Sequence, residues 1–140
     1  AGQRVILRAP LRSKFEDRDA RNACMRLILA LIQPTKLKAV QEALAKIGVD
    51  RMTVCDAHGY GRQKGQPATY RGAEYKTNLL RKVALEIAVN EDFLEPTLET
   101  ITNVARTGTE GNIGDGKVFV LPVEEVIRLS DTVRGPEGVS

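Results

Sequence analysis

The chain has 140 residues, 42% of them hydrophobic and 28% charged, a composition that suits one small globular domain with a real core and excludes a fibrous or largely disordered protein. Its formal charge of +3 resides in residues 1–24, which carry six basic and three acidic side chains; the rest is balanced at 15 against 15, so the body gives no electrostatic footprint for nucleic acid. No apolar stretch reaches the length of a membrane span, Cys24 and Cys55 lack metal-ligand spacing, and the single His58 excludes a histidine-based metal cluster within one subunit.

Residues 1–24 show no hydrophobic periodicity and begin without Met; they read as a disordered leader, an upstream mis-start or a non-native extension, leaving 25–140 as the domain. A secretory signal fits poorly, because the apolar run Leu27 to Ile32 is short and Pro34 follows it. Arg26 to Ile32, apolar at nearly every position, predicts a central strand covered on both faces or a strand with a subunit against its second face. Thr35 is then a helix N-cap, Leu37, Val40, Leu44 and Ile47 recur at helical spacing, and Gly48 stands where a left-handed C-cap belongs. Met52 to Tyr60 predicts a second strand. Leu79 to Val89 predicts a third, with Val83, Leu85, Ile87 and Val89 on one face and Lys82, Ala84, Glu86 and Ala88 on the other. Asn90-Glu91-Asp92 starts a second helix with the stripe Leu94, Leu98, Ile101 and Ala105. Pro96 implies that this helix starts later than Asn90 or kinks. After glycines between Gly108 and Gly116, Lys117 to Leu121 predicts a fourth strand, and Val126 to Leu129 a short apolar segment. The order βαββαβ is that of an α+β, ferredoxin-like sandwich with two helices on one sheet face. Its other face, apolar along the first strand, calls for burial by oligomerisation.

Three segments carry possible chemistry. Between the second and third strands, residues 59–78 are too long and polar for a hairpin turn, and they space Tyr60, Tyr70 and Tyr75 among Arg62, Lys64, Arg71 and Lys76. Gly111-Asn-Ile-Gly-Asp-Gly-Lys117 satisfies G-x-x-x-x-G-K, but Val118 replaces the Ser or Thr of a Walker loop and opens a strand rather than a helix. What remains is either a flexible turn or glycines that let backbone amides converge on an anion beside Lys117. Arg128 and Lys82, taken alone, are solvated strand charges, and Gln63 an ordinary loop residue; Tyr75 in a polar loop is a candidate for modification or partner contact. There is no nucleophile with an adjacent base, so an enzyme is unsupported. Aromatics at 4% also fall short of an RNA-binding sheet.

Taken together, Gly59-Tyr-Gly-Arg-Gln-Lys-Gly65, Tyr70-Arg-Gly-Ala-Glu-Tyr75, Leu80-Arg-Lys-Val-Ala-Leu-Glu86 and Ile113-Gly-Asp-Gly-Lys-Val-Phe-Val120 resemble the PII nitrogen-regulatory signal-transduction proteins, over Met25 to about Leu129. The resemblance implies a cytoplasmic homotrimer, not an enzyme, that binds ATP or ADP, Mg2+ and 2-oxoglutarate in clefts between subunits. It makes residues 59–78 the T-loop and about 107–117 the B-loop. For the nucleotide it implies Thr53 and Ala88 beside adenine, Gly114, Asp115, Gly116 and Lys117 around phosphates, and Arg62 and Arg128 as added cations. For 2-oxoglutarate it implies Gly61, Gln63, Lys64, Gly65 and Lys82, with Gln63 also touching Mg2+. Tyr75 matches the tyrosine modified by a uridylyltransferase in many relatives, and Ala73 replaces the serine phosphorylated in the cyanobacterial branch. The implied partners are an ammonium transporter, which would recruit the protein to a membrane without insertion, or regulatory enzymes of nitrogen metabolism.

Three departures stand out. The B-loop is about three residues longer than the commoner form, Asn112 stands where a cation is usual, and Ser130 replaces a second C-terminal arginine. Fewer phosphate cations imply weaker ATP binding or altered ATP/ADP discrimination. The alternatives are a divergent relative sensing another metabolite through the same cleft, or a weak nucleotide hydrolase.

Overall fold

The computed structural model describes residues 25–60 and 79–140. Four strands and two α-helices alternate as β1 (Met25–Ile32), α1 (Leu37–Lys46), β2 (Thr53–Tyr60), β3 (Leu79–Asn90), α2 (Glu91–Ala105) and β4 (Gly116–Pro122). The predicted βαββαβ order is therefore the observed one. The sheet runs β2-β3-β1-β4 with every neighbouring pair antiparallel, and Pro122, which has no N–H to donate, ends an edge strand where that loss is tolerated.

Both helices cover one sheet face. Val40 and Leu44 of α1 and Leu94, Ile101 and Ala105 of α2 pack with Ile28, Ala30 and Ile32 of β1 and Val83, Leu85, Ile87 and Val89 of β3. Complete burial of one such Leu or Ile stabilises the fold by about 1.5–3 kcal/mol, so the alternation read along β3 fixes which face turns inward. The other face carries Leu27, Leu29 and Leu31 of β1, which pair across to Leu121, Phe119 and Lys117 of β4. Phe119 and Leu121 remain 46% and 41% exposed there.

Gly48 closes α1 as expected. At φ +85° it occupies the left-handed region, its N–H reaches Ala45 O at 3.0 Å, and Val49 N–H reaches Leu44 O at 2.9 Å, the paired bonds of a Schellman cap. The helix start differs from the prediction. Thr35 lies inside a 3-10 turn, Pro34–Lys36, that precedes α1, and no side chain caps it. Pro34 supplies the preset φ for that turn, and Gln33 O accepts the Lys36 N–H at 2.9 Å, so the threonine hydroxyl is not needed.

Helix α2 follows its N-cap Asn90, starts at Glu91 and continues through Pro96, so the proline neither delays the helix nor ends it. Glu91 and Asp92 lie in the first turn, favourable at the positive end of the helix dipole. Thr97 is fully buried on this helix, and among the described residues its hydroxyl has no hydrogen-bond partner. Beyond β4 the segment expected to be merely apolar forms one arm of a tight hairpin. Ile127 bridges Arg134, Thr132 occupies φ +59°, and Arg134 pairs with Glu125 at 3.1 Å. The 3-10 turn Pro136–Val139 then returns to the end of β3, where Asn90 Nδ2 donates to Pro136 O at 3.3 Å.

Candidate functional site

The glycine-rich segment between α2 and β4 closes one end of the sheet. It walls a cleft of about 530 Å³ lined by Ile101 and Ala105 of α2, Arg106 just past its end, Glu110 and Asn112 of the loop, and Lys117 of β4. The loop is braced from within. The Asp115 carboxylate accepts the Thr107 hydroxyl at 2.5 Å and the amides of Thr107 at 2.9 Å and Asn112 at 2.8 Å, so one side chain ties the beginning of the loop to its end. These bonds, the Thr107 hydroxyl foremost, hold the Asp115 carboxyl down at about 2, because each stabilises the anion.

Two side chains brace the loop from the sheet. Gln33, just past β1, donates to Gly114 O and Asp115 Oδ1, both at 3.3 Å. Lys82 of β3 donates through Nζ to Gly114 O. Lys82 lies across Gly59 of β2, where a Cβ would meet Lys82 Cγ at 3.4 Å, an ordinary packing distance. Ala57 pairs with Lys82 and Leu31 with both Ala84 and Lys117, so strand alternation sets Lys82 and Lys117 on the same, helix-free face, at the same end of the sheet.

Gly116 has a requirement of its own. At φ +120° a Cβ there would lie 1.7 Å from Leu31 O, so only glycine lets β4 begin against β1. Gly114 is different, with only Gln33 Nε2 within reach of a Cβ, at 3.9 Å.

The remaining expected residues are distributed unevenly. Thr53 pairs with Glu86, which makes it a diagonal neighbour of Ala88 on the helix-free face. Ala88 is six residues along β3 from Lys82, about 20 Å at strand rise, so Thr53 and Ala88 occupy the far end of the face from the loop. Arg128 does not line the cleft; its guanidinium is bound to Asp131 and to carbonyls near residue 140. Gly61, Arg62, Gln63, Lys64, Gly65 and Tyr75 lie outside the described residues, as do positions 1–24.

The sequence reading missed Gln33, Thr107 and Arg106. Gln33 and Thr107 act through a contact partner that is distant along the chain or across a loop, which no periodicity reveals. Arg106, exposed at the C-cap of α2 before the glycines, had a signal in its position: it precedes a stretch already marked as anion-compatible. No cluster of three or more His, Cys, Asp or Glu side chains suited to a metal occurs among the described residues, and no helix among them is long and apolar enough to cross a membrane.

With this geometry in place, comparison with known proteins is specific. The nitrogen regulatory protein P-II family model matches residues 25–132. The nitrogen regulatory protein GlnK1 of Methanosarcina mazei is 50% identical over 115 residues, 82% of this chain and 97% of that protein. The nitrogen regulatory protein P-II 1 of Escherichia coli K12 is 49% identical over 105 residues, 75% of this chain and 91% of its own length. Among solved structures, Arabidopsis thaliana PII bound to citrate superposes with a TM-score of 0.65 at 34% identity, covering 83% of this chain and 90% of that one. A B. subtilis GlnK–ATP complex superposes at 0.67 and 28% identity, covering 83% and 96%.

Proposed function

The chain belongs to the nitrogen regulatory protein P-II family, whose members are regulatory signal-transduction proteins rather than enzymes, and from that premise we propose a trimeric cytoplasmic sensor that reads ATP or ADP together with 2-oxoglutarate. The observation that carries this reading is the braced glycine loop whose Gly114 carbonyl is held by Lys82. Gly114, Gly116 and Lys117 then face phosphates, and Lys82, released from that carbonyl, pairs with a ligand carboxylate. The relatives solved with ATP and with citrate support both halves of the assignment.

The loop fits an anion better than it fits a metal. Asp115 is committed to Thr107 and Asn112, so Mg2+ would rely on the nucleotide phosphates and Gln63, and would link them to the dicarboxylate. Thr53 and Ala88 would contact the base, and Arg62 and Arg128 would add charge. Apolar Leu27, Leu29, Phe119 and Leu121 on the helix-free face, the last two substantially exposed, are the surface that subunit association would bury, and the cleft between subunits would then be completed by a neighbouring copy. Ligand occupancy selects among conformations of residues 59–78 by differential affinity. That segment docks on an ammonium transporter, which draws the protein to the membrane, or on a nitrogen-metabolism enzyme, with Tyr75 open to a uridylyltransferase.

Calorimetry tests the sensing assignment. 2-Oxoglutarate binds in the presence of Mg-ATP, and Lys82→Ala removes that binding while ATP still binds. Absence of any 2-oxoglutarate heat with Mg-ATP present refutes it, and a panel of other carboxylates, citrate first because a relative carries it, then separates a divergent sensor from a non-sensor.

A further inference from the structure

We propose that the C-terminal hairpin is an intramolecular competitor for the anion-binding Arg128, with Asp131 standing in for a phosphate. The inference rests on the assignment of Arg128 to nucleotide phosphates made above. A guanidinium has five N–H donors. Nε of Arg128 donates to Asp131 Oδ1 and Oδ2 at 3.0 and 3.1 Å, and Nη2 to Oδ2 at 2.6 Å. Nη1 donates to Ser140 O at 2.7 Å and Glu137 O at 3.4 Å. Four of the five donors are thereby occupied within the tail, while a fork-to-fork grip on phosphate needs two parallel donors. A phosphate at Arg128 must therefore displace either the carboxylate or the tail carbonyls.

The competitor is built rather than incidental. Asp131 also accepts the Val133 amide at 3.1 Å, which fixes the carboxylate as well as the turn. The turn is closed by Thr132 N–H to Arg128 O at 2.7 Å and Arg128 N–H to Val133 O at 2.9 Å. Thr132 pays for it with φ +59°, a conformation that β-branched residues rarely adopt. A strained turn holding a charge pair, with Arg128 only 33% exposed and Asp131 44%, is poised to open when a better anion arrives. Ser130, beside this pair, adds no cation that could take over from Arg128.

The test is titration of ATP, and of inorganic tripolyphosphate as a probe without a base, into the full chain, three single variants and one double variant. Asp131→Asn removes the competing charge and tightens both ligands by roughly tenfold, the scale of one charge-assisted bond. Thr132→Asn, which tolerates the left-handed region, strengthens the closed hairpin and weakens both ligands a few-fold. Arg128→Ala weakens both, and in its background Asp131→Asn has no further effect. If Arg128→Ala weakens binding but Asp131→Asn leaves it unchanged or weaker, the competition is refuted while the Arg128 assignment survives. If Arg128→Ala changes nothing, the assignment itself fails. Asp131→Asn is exposed and its melting curve should match that of the parent; should it not, Thr132→Asn still decides, since tighter binding by that variant contradicts the proposal.

Discussion

Gly116→Ala separates a structural from a ligand-binding role for the glycine loop. The added Cβ would sit 1.7 Å from Leu31 O and 2.8 Å from Leu31 C, both backbone atoms of β1, so no side-chain rotation relieves it. Ordinary carbon contacts need about 3.5 Å or more, and the start of β4 must therefore move away from β1 by roughly 2 Å. Moving it breaks the pairing of Gly116 with Ile32 and loosens that of Lys117 with Leu31, with each lost hydrogen bond worth about 0.5–1.5 kcal/mol. The positive φ adds about 1–2 kcal/mol for any L side chain. The total, about 2–5 kcal/mol, is a large part of the roughly 5–15 kcal/mol that stabilises a domain. Urea denaturation measures it as a lower midpoint at unchanged slope. Gly114→Ala is the matched control, because its Cβ meets only Gln33 Nε2 at 3.9 Å; it should unfold like the parent, and any loss of ATP binding there reports the ligand alone. A Gly116→Ala variant as stable as Gly114→Ala would refute the close-approach argument.

Three further outcomes follow from the same contacts. The Asp115 carboxyl is held at about 2 against about 3.9 in an unfolded chain, so its stabilisation is present above that unfolded value and is lost as pH falls toward 2; the stability gap between the parent and Asp115→Ala should narrow across that window, and a gap constant with pH would count against the brace. Thr97→Val removes a buried, unpartnered hydroxyl while keeping the branched shape, so the thermal midpoint should rise with a gain of about 1 kcal/mol; a loss of that size would mean the hydroxyl is bonded. Gly48→Ala places a Cβ in the left-handed cap of α1, 3.8 Å from Phe93 Cε1, and should cost about 1–2 kcal/mol, read in the same urea titration.

Much of the fold was legible because its signals are local. Alternation along β3 and the helical spacing of Leu37, Val40 and Leu44 each report which side of an element meets the core, and burial follows directly from that periodicity. Local rules compete at two prolines. Thr35 is a good cap residue, but Pro34 beside it opens a 3-10 turn first. Pro96 disfavours a helix interior by about 3 kcal/mol, yet burial of Leu94, Ile101 and Ala105 on the same helix outweighs it. The site was legible only as residue types and order. Gly114, Asp115, Gly116, Lys117 and Lys82 were singled out, but Asp115 serves as the loop's own brace, and Gly116 is demanded by Leu31.

The sequence alone determined the element order, the inward faces and, through two long motifs in register, the family. It could not specify that Lys82 holds Gly114, that Gln33 supports Asp115, or that Arg128 is occupied by Asp131 and the tail carbonyls. Those pairings depend on which backbone groups the sheet brings together across 32 residues for Lys82 and Gly114 and 82 for Gln33 and Asp115. A side chain's hydrogen-bond partner is decided by a few tenths of an ångström in three dimensions, whereas periodicity carries information only along the chain.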